Sequence, residues 1–414
     1  MSRDTFHHVL DSQRASGQLV CDSAALGFNC AAAVDRPQTH TTVRTRAGFV
    51  LFVSLGMAIS VAHAQQRELA RILDSARAAN HLPALGAAIV TSDSVLSLDV
   101  VGVRHLGDTT RATKTDLFHI GSDTKAMTAG LLGLLVDHKR LAWTSTLADL
   151  FPDLVAEMRP EYRNLQVREL LSHQSGLVPN PTIQFRDGTP RAQRVAFLKW
   201  VLSQPPATPR GKYSYANSNY IVAGAIAERL MDGDYETLVV DRLLRPLGMT
   251  SVGFGAAGTP GKVDQPWPHA IQAGSVVAIS PGPNADNPPV FGPAGRAHLT
   301  LADWATWIRT VLRASRGGPS PWSAETAKAL VAPAVQVDSS TGYAFGWLVT
   351  KRGWAGPGGR ALTHAGSNTM NFAVAWIAPE ANFAVLVVTN QGGDAAARAV
   401  DGLAGRLITL HASR

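Results

Sequence analysis

The stretch that most constrains the fold is the run from Ala126 to Val136. Ala126, Met127, Ala129, Leu131, Leu132, Leu134, Leu135 and Val136 leave almost no polar stripe at 3.6 residues per turn, so the pattern predicts a helix buried on nearly every side. Such a helix needs a large domain with other layers around it. Directly before it stands His119-Ile120-Gly121-Ser122-Asp123-Thr124-Lys125. Ser122 and Lys125, three apart, share one face at the first turn if the run is helical. A lysine at the head of an apolar helix is costly without a partner or a task. Held in a dry site, its pKa falls far enough for it to take a proton from a serine hydroxyl, a weak nucleophile otherwise. The helix N-terminus adds free N–H groups and a positive dipole end beside any oxyanion formed there. Of the eight lysines in the chain, only Lys125 has a serine three positions before it.

The first 64 residues read differently from the rest. Arg44 and Arg46 precede an apolar run from Phe49 to Val61, and Ala62-His63-Ala64 offers the small-x-small pattern of a signal peptidase site. Export with cleavage after Ala64 is the expectation, placing the protein in the periplasm or outside the cell. Residues 43–64 then form the signal peptide, and the run is short for a membrane span. Residues 1–42, polar and irregular, read as a non-native or disordered extension, with translation expected to start near Val43. Both cysteines, Cys21 and Cys30, fall there, so the remaining domain, 65–414, contains neither disulfide nor thiol chemistry. The net charge of +7 is spread along the chain with no basic run and no basic-aromatic interleaving. That argues against nucleic-acid binding and suits association with an anionic cell envelope.

Along the domain, Gln65 to Asn80 reads as an amphipathic helix, followed by strands Leu85 to Thr91 and Val95 to Val103 in a hairpin. Val167 to Leu171 leads into Ser172-His173-Gln174-Ser175-Gly176-Leu177, where His173 reads as a residue that orders the turn rather than a base. Ala192 to Ser203 is helical up to Pro205-Pro206. The loop Tyr213-Ser214-Tyr215-Ala216-Asn217-Ser218-Asn219-Tyr220 then opens onto an apolar helix, Ile221 to Leu230. Packing and capping account for Tyr213, Asn219 and Tyr220, which leaves Tyr215 and Asn217 for chemistry. Residues 255–298 are Gly-, Pro- and Ala-rich and read as a long surface excursion that walls a site. Leu301 to Leu312 is a helix; Tyr343 to Thr350, Ala373 to Ile377 and Phe383 to Thr389 are strands; Ala395 to Leu410 closes the chain as a helix. This order implies an α/β (α+β) sandwich with one antiparallel sheet flanked by helices, plus an all-helical region.

Three boxes and their flanks now resemble the serine β-lactamase and penicillin-binding protein superfamily, most closely its class C-like branch with related esterases and D-amino-acid peptidases. Ser122-Asp123-Thr124-Lys125 is similar to its S-x-x-K box, Tyr215-Ala216-Asn217 to its Y-x-N box, and His364-Ala365-Gly366 to its third box, usually K-T-G. The resemblance covers about Leu82 to Leu410 and implies roles. Ser122 would become acylated, Lys125 and Tyr215 would share proton transfer with the base left open, and Asn217 would bind the substrate amide or orient Lys125. The N–H groups of Ser122 and Ser367 would form the oxyanion hole beside Gly366. The third box departs from the lactamase pattern, because histidine is largely neutral at pH 7 and reaches less far than lysine. The expectation is an exported serine hydrolase, monomeric, without metal or cofactor, that cleaves small ester, acyl or peptide substrates through a Ser122 acyl-enzyme. A β-lactamase or D,D-carboxypeptidase is the nearest alternative, and a penicillin-recognising sensor that does not turn over is an alternative of another class.

Overall fold

The structure, a computed structural model, describes residues 66–413. The extension 1–42, the segment 43–64, the cleavage expected after Ala64 and both cysteines lie outside the described residues. A helix over 66–79 opens the described chain. The strands are β1 (Ala84–Val90), β2 (Val95–Gly102), β3 (Leu117–His119), β4 (Gly253–Phe254), β5 (His269–Gln272), β6 (Ser275–Ala278) and β7 (Ala297–Thr300). They continue with β8 (Val335–Gln336), β9 (Thr341–Tyr343), β10 (Leu348–Lys351), β11 (Arg360–Ser367), β12 (Phe372–Ala378) and β13 (Phe383–Thr389). Eight of them build one sheet in the order β2-β1-β13-β12-β11-β10-β9-β8, every neighbouring pair antiparallel. β3, β7 and β4 form a small second sheet, and β5 with β6 a hairpin.

β12 and β13 form because valine, phenylalanine and tryptophan suit a pleated surface, and β13 is buried at every residue. Successive strand side chains point to opposite faces, so unbroken burial requires cover on both. The rows across the sheet identify that cover. Ile89, Val385 and Trp376 stand opposite one another, and Trp376 donates its Nε1–H to Asp401 of the Asp394–Ala412 helix at 3.2 Å. Gly86, Val388 and Ala373 form a row of opposite parity, and a Cβ on Gly86 would lie 3.4 Å from Leu301, the first residue of the Leu301–Ser315 helix. Those two helices therefore sandwich the sheet, which is the architecture expected from the element order.

The helical region centres on Thr124–Asp137, buried without a break from Thr124 to Gly133, its polar members Thr124, Lys125 and Thr128 included. Trp322 donates to the Gly130 carbonyl at 2.8 Å, and Asn217–Met231 is a second helix buried from Ser218 to Glu228. Among the described residues no helix is long and apolar enough to cross a membrane.

Three local expectations are corrected. Tyr343 to Thr350 is two strands, β9 and β10, separated by a turn in which Gly346 has φ +87°. A Cβ there would sit 2.6 Å from the Ala126 nitrogen, so the turn presses directly on the central helix. The segment around His364, which lies between two of the expected strands, is itself strand β11 in the middle of the sheet. The excursion 255–298 does not stay on the surface: it makes the β5–β6 hairpin, whose first residue His269 is wholly buried, and is buried again at Ala285 and Asp286.

Candidate active site

The central helix is entered through a tight 3₁₀ turn, Gly121–Asp123, that is fixed from both sides. Gly121 takes φ +51°, and the Thr124 hydroxyl donates to its carbonyl at 2.7 Å while accepting from the Ala297 N–H at 3.2 Å. β11 crosses this turn at very close range. A Cβ on Gly366 would lie 1.8 Å from the Ile120 oxygen and 2.7 Å from the Ser122 nitrogen, and one on Gly121 would lie 2.3 Å from the Ser367 nitrogen. Only a pair of glycines permits that approach. It brings the backbone N–H groups of Ser122 and Ser367 to one place. The Ser367 side chain is turned away from it, its hydroxyl donating to the Asn371 carbonyl at 2.9 Å.

Lys125 is wholly buried, and each of its three ammonium donors has an acceptor: Ser122 Oγ at 2.9 Å, Asn217 Oδ1 at 2.7 Å and the Ala294 carbonyl at 2.6 Å. Burial holds its pKa well below that of an ordinary lysine, and the neighbouring Asp123 only partly opposes this. Asp123 is itself buried, with no hydrogen-bond partner for either carboxyl oxygen among the described residues. Burial pushes its carboxyl well above the usual range, against the pull of Lys125. A neutral Asp123 does little to hold a charge on Lys125, so the two shifts reinforce each other.

Tyr215 is hydrogen-bonded to Ser122, with its ring centroid 4.9 Å from Lys125 Nζ. Burial raises its phenol well above the ordinary value, and the bond to Ser122 only tempers the rise, so the resting group is a protonated phenol. Asn217 opens the Asn217–Met231 helix, its Oδ1 on Lys125 and its Nδ2 donating to Asn180 at 2.8 Å. His364 is buried in β11, its Nδ1–H donating to the Ala365 carbonyl at 2.8 Å and its Nε2 accepting from the Tyr343 hydroxyl at 3.2 Å. Burial, reinforced by Lys125, pulls its pKa down to about 3. It offers the site no cation.

The structure thus brings Ser122, Lys125, Tyr215 and Asn217 into direct contact, lays Gly366 and Ser367 across Ser122, and puts His364 in the adjoining wall. His173 lies behind them, with φ +61°. Its Nδ1 accepts from the Ala216 N–H at 3.2 Å and from Asn219 Nδ2 at 3.0 Å, and its carbonyl accepts from the Ser214 N–H at 2.8 Å. It orders the distant Tyr215–Asn217 loop as well as its own turn. Ala294 and Asn180 escaped the sequence reading, and Tyr343 was read only as the start of a strand. A backbone carbonyl carries no side-chain signature. Among the described residues no three His, Cys, Asp or Glu side chains are grouped to hold a metal ion.

Comparison with known proteins places this geometry. The unguisins hydrolase ungD' of Aspergillus campestris is 28% identical over 281 residues, 64% of this chain and 51% of that protein. The chain therefore spans about half the length of that relative. Penicillin-binding protein 4 of Amycolatopsis lactamdurans is 28% identical over 342 residues, covering 80% of this chain and 85% of that one. Among solved structures, the octameric penicillin-binding protein homologue from Pyrococcus abyssi matches with a TM-score of 0.67 at 21% identity, covering 83% of this chain and 77% of that one. The family model described as "Beta-lactamase" matches residues 69–410, nearly the whole described chain, and the chain belongs to the beta-lactamase family of serine hydrolases.

Proposed function

We propose that this protein is an exported serine hydrolase that cleaves ester or amide bonds of small acyl substrates through an acyl-enzyme on Ser122. The observation that carries the reading is the buried Lys125 ammonium group, lowered in pKa by desolvation and 2.9 Å from Ser122 Oγ. In its neutral form Lys125 takes the Ser122 proton as Oγ attacks the substrate carbonyl. The oxyanion is received by the N–H groups of Ser122 and Ser367. As the tetrahedral adduct collapses, the proton passes through Tyr215 to the leaving group, and the C–O or C–N bond to that group breaks. Water then repeats the sequence on the acyl-enzyme, freeing the acid and Ser122. Tyr215 acts as relay rather than first base in this reading, because burial moves tyrosine and lysine in opposite directions, each toward its neutral form.

His364 supports a preference for substrates without a carboxylate next to the scissile bond. A lysine would supply a permanent cation at that position, whereas this imidazole is neutral and already engaged with Tyr343. Efficient β-lactam hydrolysis is therefore not expected. The likeness to penicillin-binding protein 4 favours penicillin recognition as the second reading. We read the protein as a monomer in or near the cell envelope, with residues 43–64 removed as a signal peptide.

Intact-mass spectrometry after exposure to a fluorophosphonate and to benzylpenicillin tests both readings. A single fluorophosphonate adduct on the wild type, absent from Ser122→Ala, is expected, together with a penicilloyl mass that is slight or clears with time. A stoichiometric penicilloyl adduct that persists would replace the hydrolase reading with the penicillin-recognition one. No adduct from either reagent on the folded protein would end both.

A further inference from the structure

The long segment 255–298, buried again at Ala285, delivers one carboxylate, Asp286, to the back of the catalytic turn, where its side chain is 1% exposed. Four donors converge on it, two from distant stretches of chain and two from its own segment. Asp286 Oδ1 lies 3.0 Å from His119 Nε2, 2.9 Å from Asn368 Nδ2 and 2.7 Å from the Asn287 N–H, and Oδ2 lies 3.3 Å from Arg296 Nε. The approach of His119 is off the line of a good N–H bond, a close electrostatic contact rather than a well-aimed hydrogen bond. Burial alone would raise this carboxyl, but His119, Arg296 and Asn368 together hold it below the ordinary aspartate value, so it is an anion.

Each of three partners is one to three residues from a working group. His119 Nδ1 accepts the Gly121 N–H at 3.1 Å, which leaves the ring proton on Nε2, facing Asp286. Gly121 immediately precedes Ser122. Asn368 immediately follows Ser367, and its Oδ1 accepts from the N–H groups of Met370 and Asn371 at 3.2 and 2.9 Å, fixing the turn in which β11 ends. Arg296 lies two residues after Ala294, whose carbonyl anchors Lys125. The two amides come from chain segments more than two hundred residues apart, and one anion holds both segments from behind.

We propose that Asp286 is the positioning residue of the oxyanion hole, setting the Ser122 N–H through His119 and Gly121 and the Ser367 N–H through Asn368. The proposal rests on the reading of Ser122 as nucleophile. Misplacing an oxyanion donor costs most in the tetrahedral state, where the negative charge sits, and little in substrate binding. A carboxylate that merely braced the loop would lower stability without that selectivity.

The test compares wild type, Asp286→Asn, Asn368→Ala and the double variant. Three quantities are read: acylation by p-nitrophenyl acetate, KM for the same ester, and the affinity of phenylboronic acid, which forms a tetrahedral adduct on the serine. Asp286→Asn should slow acylation and weaken boronate binding by a common factor of about 10 to 100, with KM within about threefold of wild type. Asn368→Ala cuts one arm only and should show a smaller loss of the same kind; should Asp286→Asn not fold, it carries the test alone. The double variant should be no worse than Asp286→Asn within about twofold, as members of one linkage are not additive. Wild-type acylation and boronate affinity in the folded variants, or a loss confined to KM, would overturn the proposal, as would losses that multiply in the double variant. Fluorophosphonate labelling of wild type and Ser122→Ala runs alongside. Equal labelling of the two sinks the nucleophile reading itself, a result distinguishable from any behaviour of Asp286.

Discussion

At the scale of single residues, the site is a problem of one proton. Ser122 must lose it, and of the two candidates to receive it Lys125 is wholly buried and Tyr215 half-buried, its phenol desolvated. Desolvation opposes charge on either, so it makes the lysine a better resting base and the tyrosinate a poorer one. Activity should therefore rise with pH through a value well below that of an ordinary lysine and then level off, because the active form of Lys125 is the deprotonated one. Lys125→Arg keeps the charge but has no accessible neutral form, and kcat/KM for a p-nitrophenyl ester should fall by roughly a thousandfold. Tyr215→Phe should lose less and keep the pH limb in place. If the limb instead stands near the ordinary tyrosine value and disappears in Tyr215→Phe, the base is Tyr215. Four of these residues were legible in the sequence because their side-chain types and spacing carry the chemistry: Ser122, Lys125, Tyr215 and Asn217. The Ala294 carbonyl was not, since any residue could supply it. Nor was Asp286, whose partners His119, Arg296 and Asn368 lie up to 167 positions away and converge only on folding.

At the scale of elements, activity depends on how closely β11 passes over the catalytic turn. A Cβ at position 366 would lie 1.8 Å from the Ile120 oxygen, a distance no side-chain rotation relieves because the obstacle is backbone. Gly366→Ala must push the strand and the turn apart, separating the Ser122 and Ser367 amides. β11 is paired on both sides, to β10 and β12, so the sheet should survive. We expect a folded protein with ester hydrolysis down by about a hundredfold or more, the cost of losing an oxyanion donor. A Gly366→Ala variant with near wild-type kcat would mean the amides do not serve that purpose. The same strand shows why the sequence was partly opaque here. β13 announced itself as an unbroken apolar run, Phe383 to Thr389, whereas β11 reads Arg360-Ala-Leu-Thr-His-Ala-Gly-Ser367 and looks like a connection. Its polar members are satisfied inside the sheet and the site, Thr363 by the Ala375 carbonyl and His364 by Tyr343, which periodicity cannot reveal. The single strand expected from Tyr343 to Thr350 failed for the complementary reason, that Gly346 must turn the chain against Ala126.

At the scale of the whole molecule, the buried histidines couple stability to acid. His173, His269 and His364 all titrate below an ordinary histidine chiefly because burial disfavours their charged form, His269 at about 4 and His364 at about 3. Their folded-state values lie below the unfolded one, so the unfolded chain binds more protons as pH falls below about 6.5. The stability they allow is complete above that value and is lost as pH drops toward their folded values. Asp123 and Asp401, raised by burial, act with the opposite sign, taking up protons in the folded state first. The net slope is a difference, and a variant comparison isolates one contributor. His364→Gln removes a titrating group while keeping a side chain able to accept from Tyr343. Between about pH 7 and pH 5, wild type should lose about 2 kcal/mol more stability than His364→Gln, the linkage expected of one histidine that stays neutral when folded. Urea unfolding of both proteins at the two pH values measures it. Parallel losses would mean that His364 is protonated in the folded protein at pH 5, and that the wall beside Ser122 can present a cation to a substrate carboxylate after all. Since the preference for substrates without that carboxylate rests on a neutral His364, a stability measurement made without any substrate bears directly on what this active site accepts.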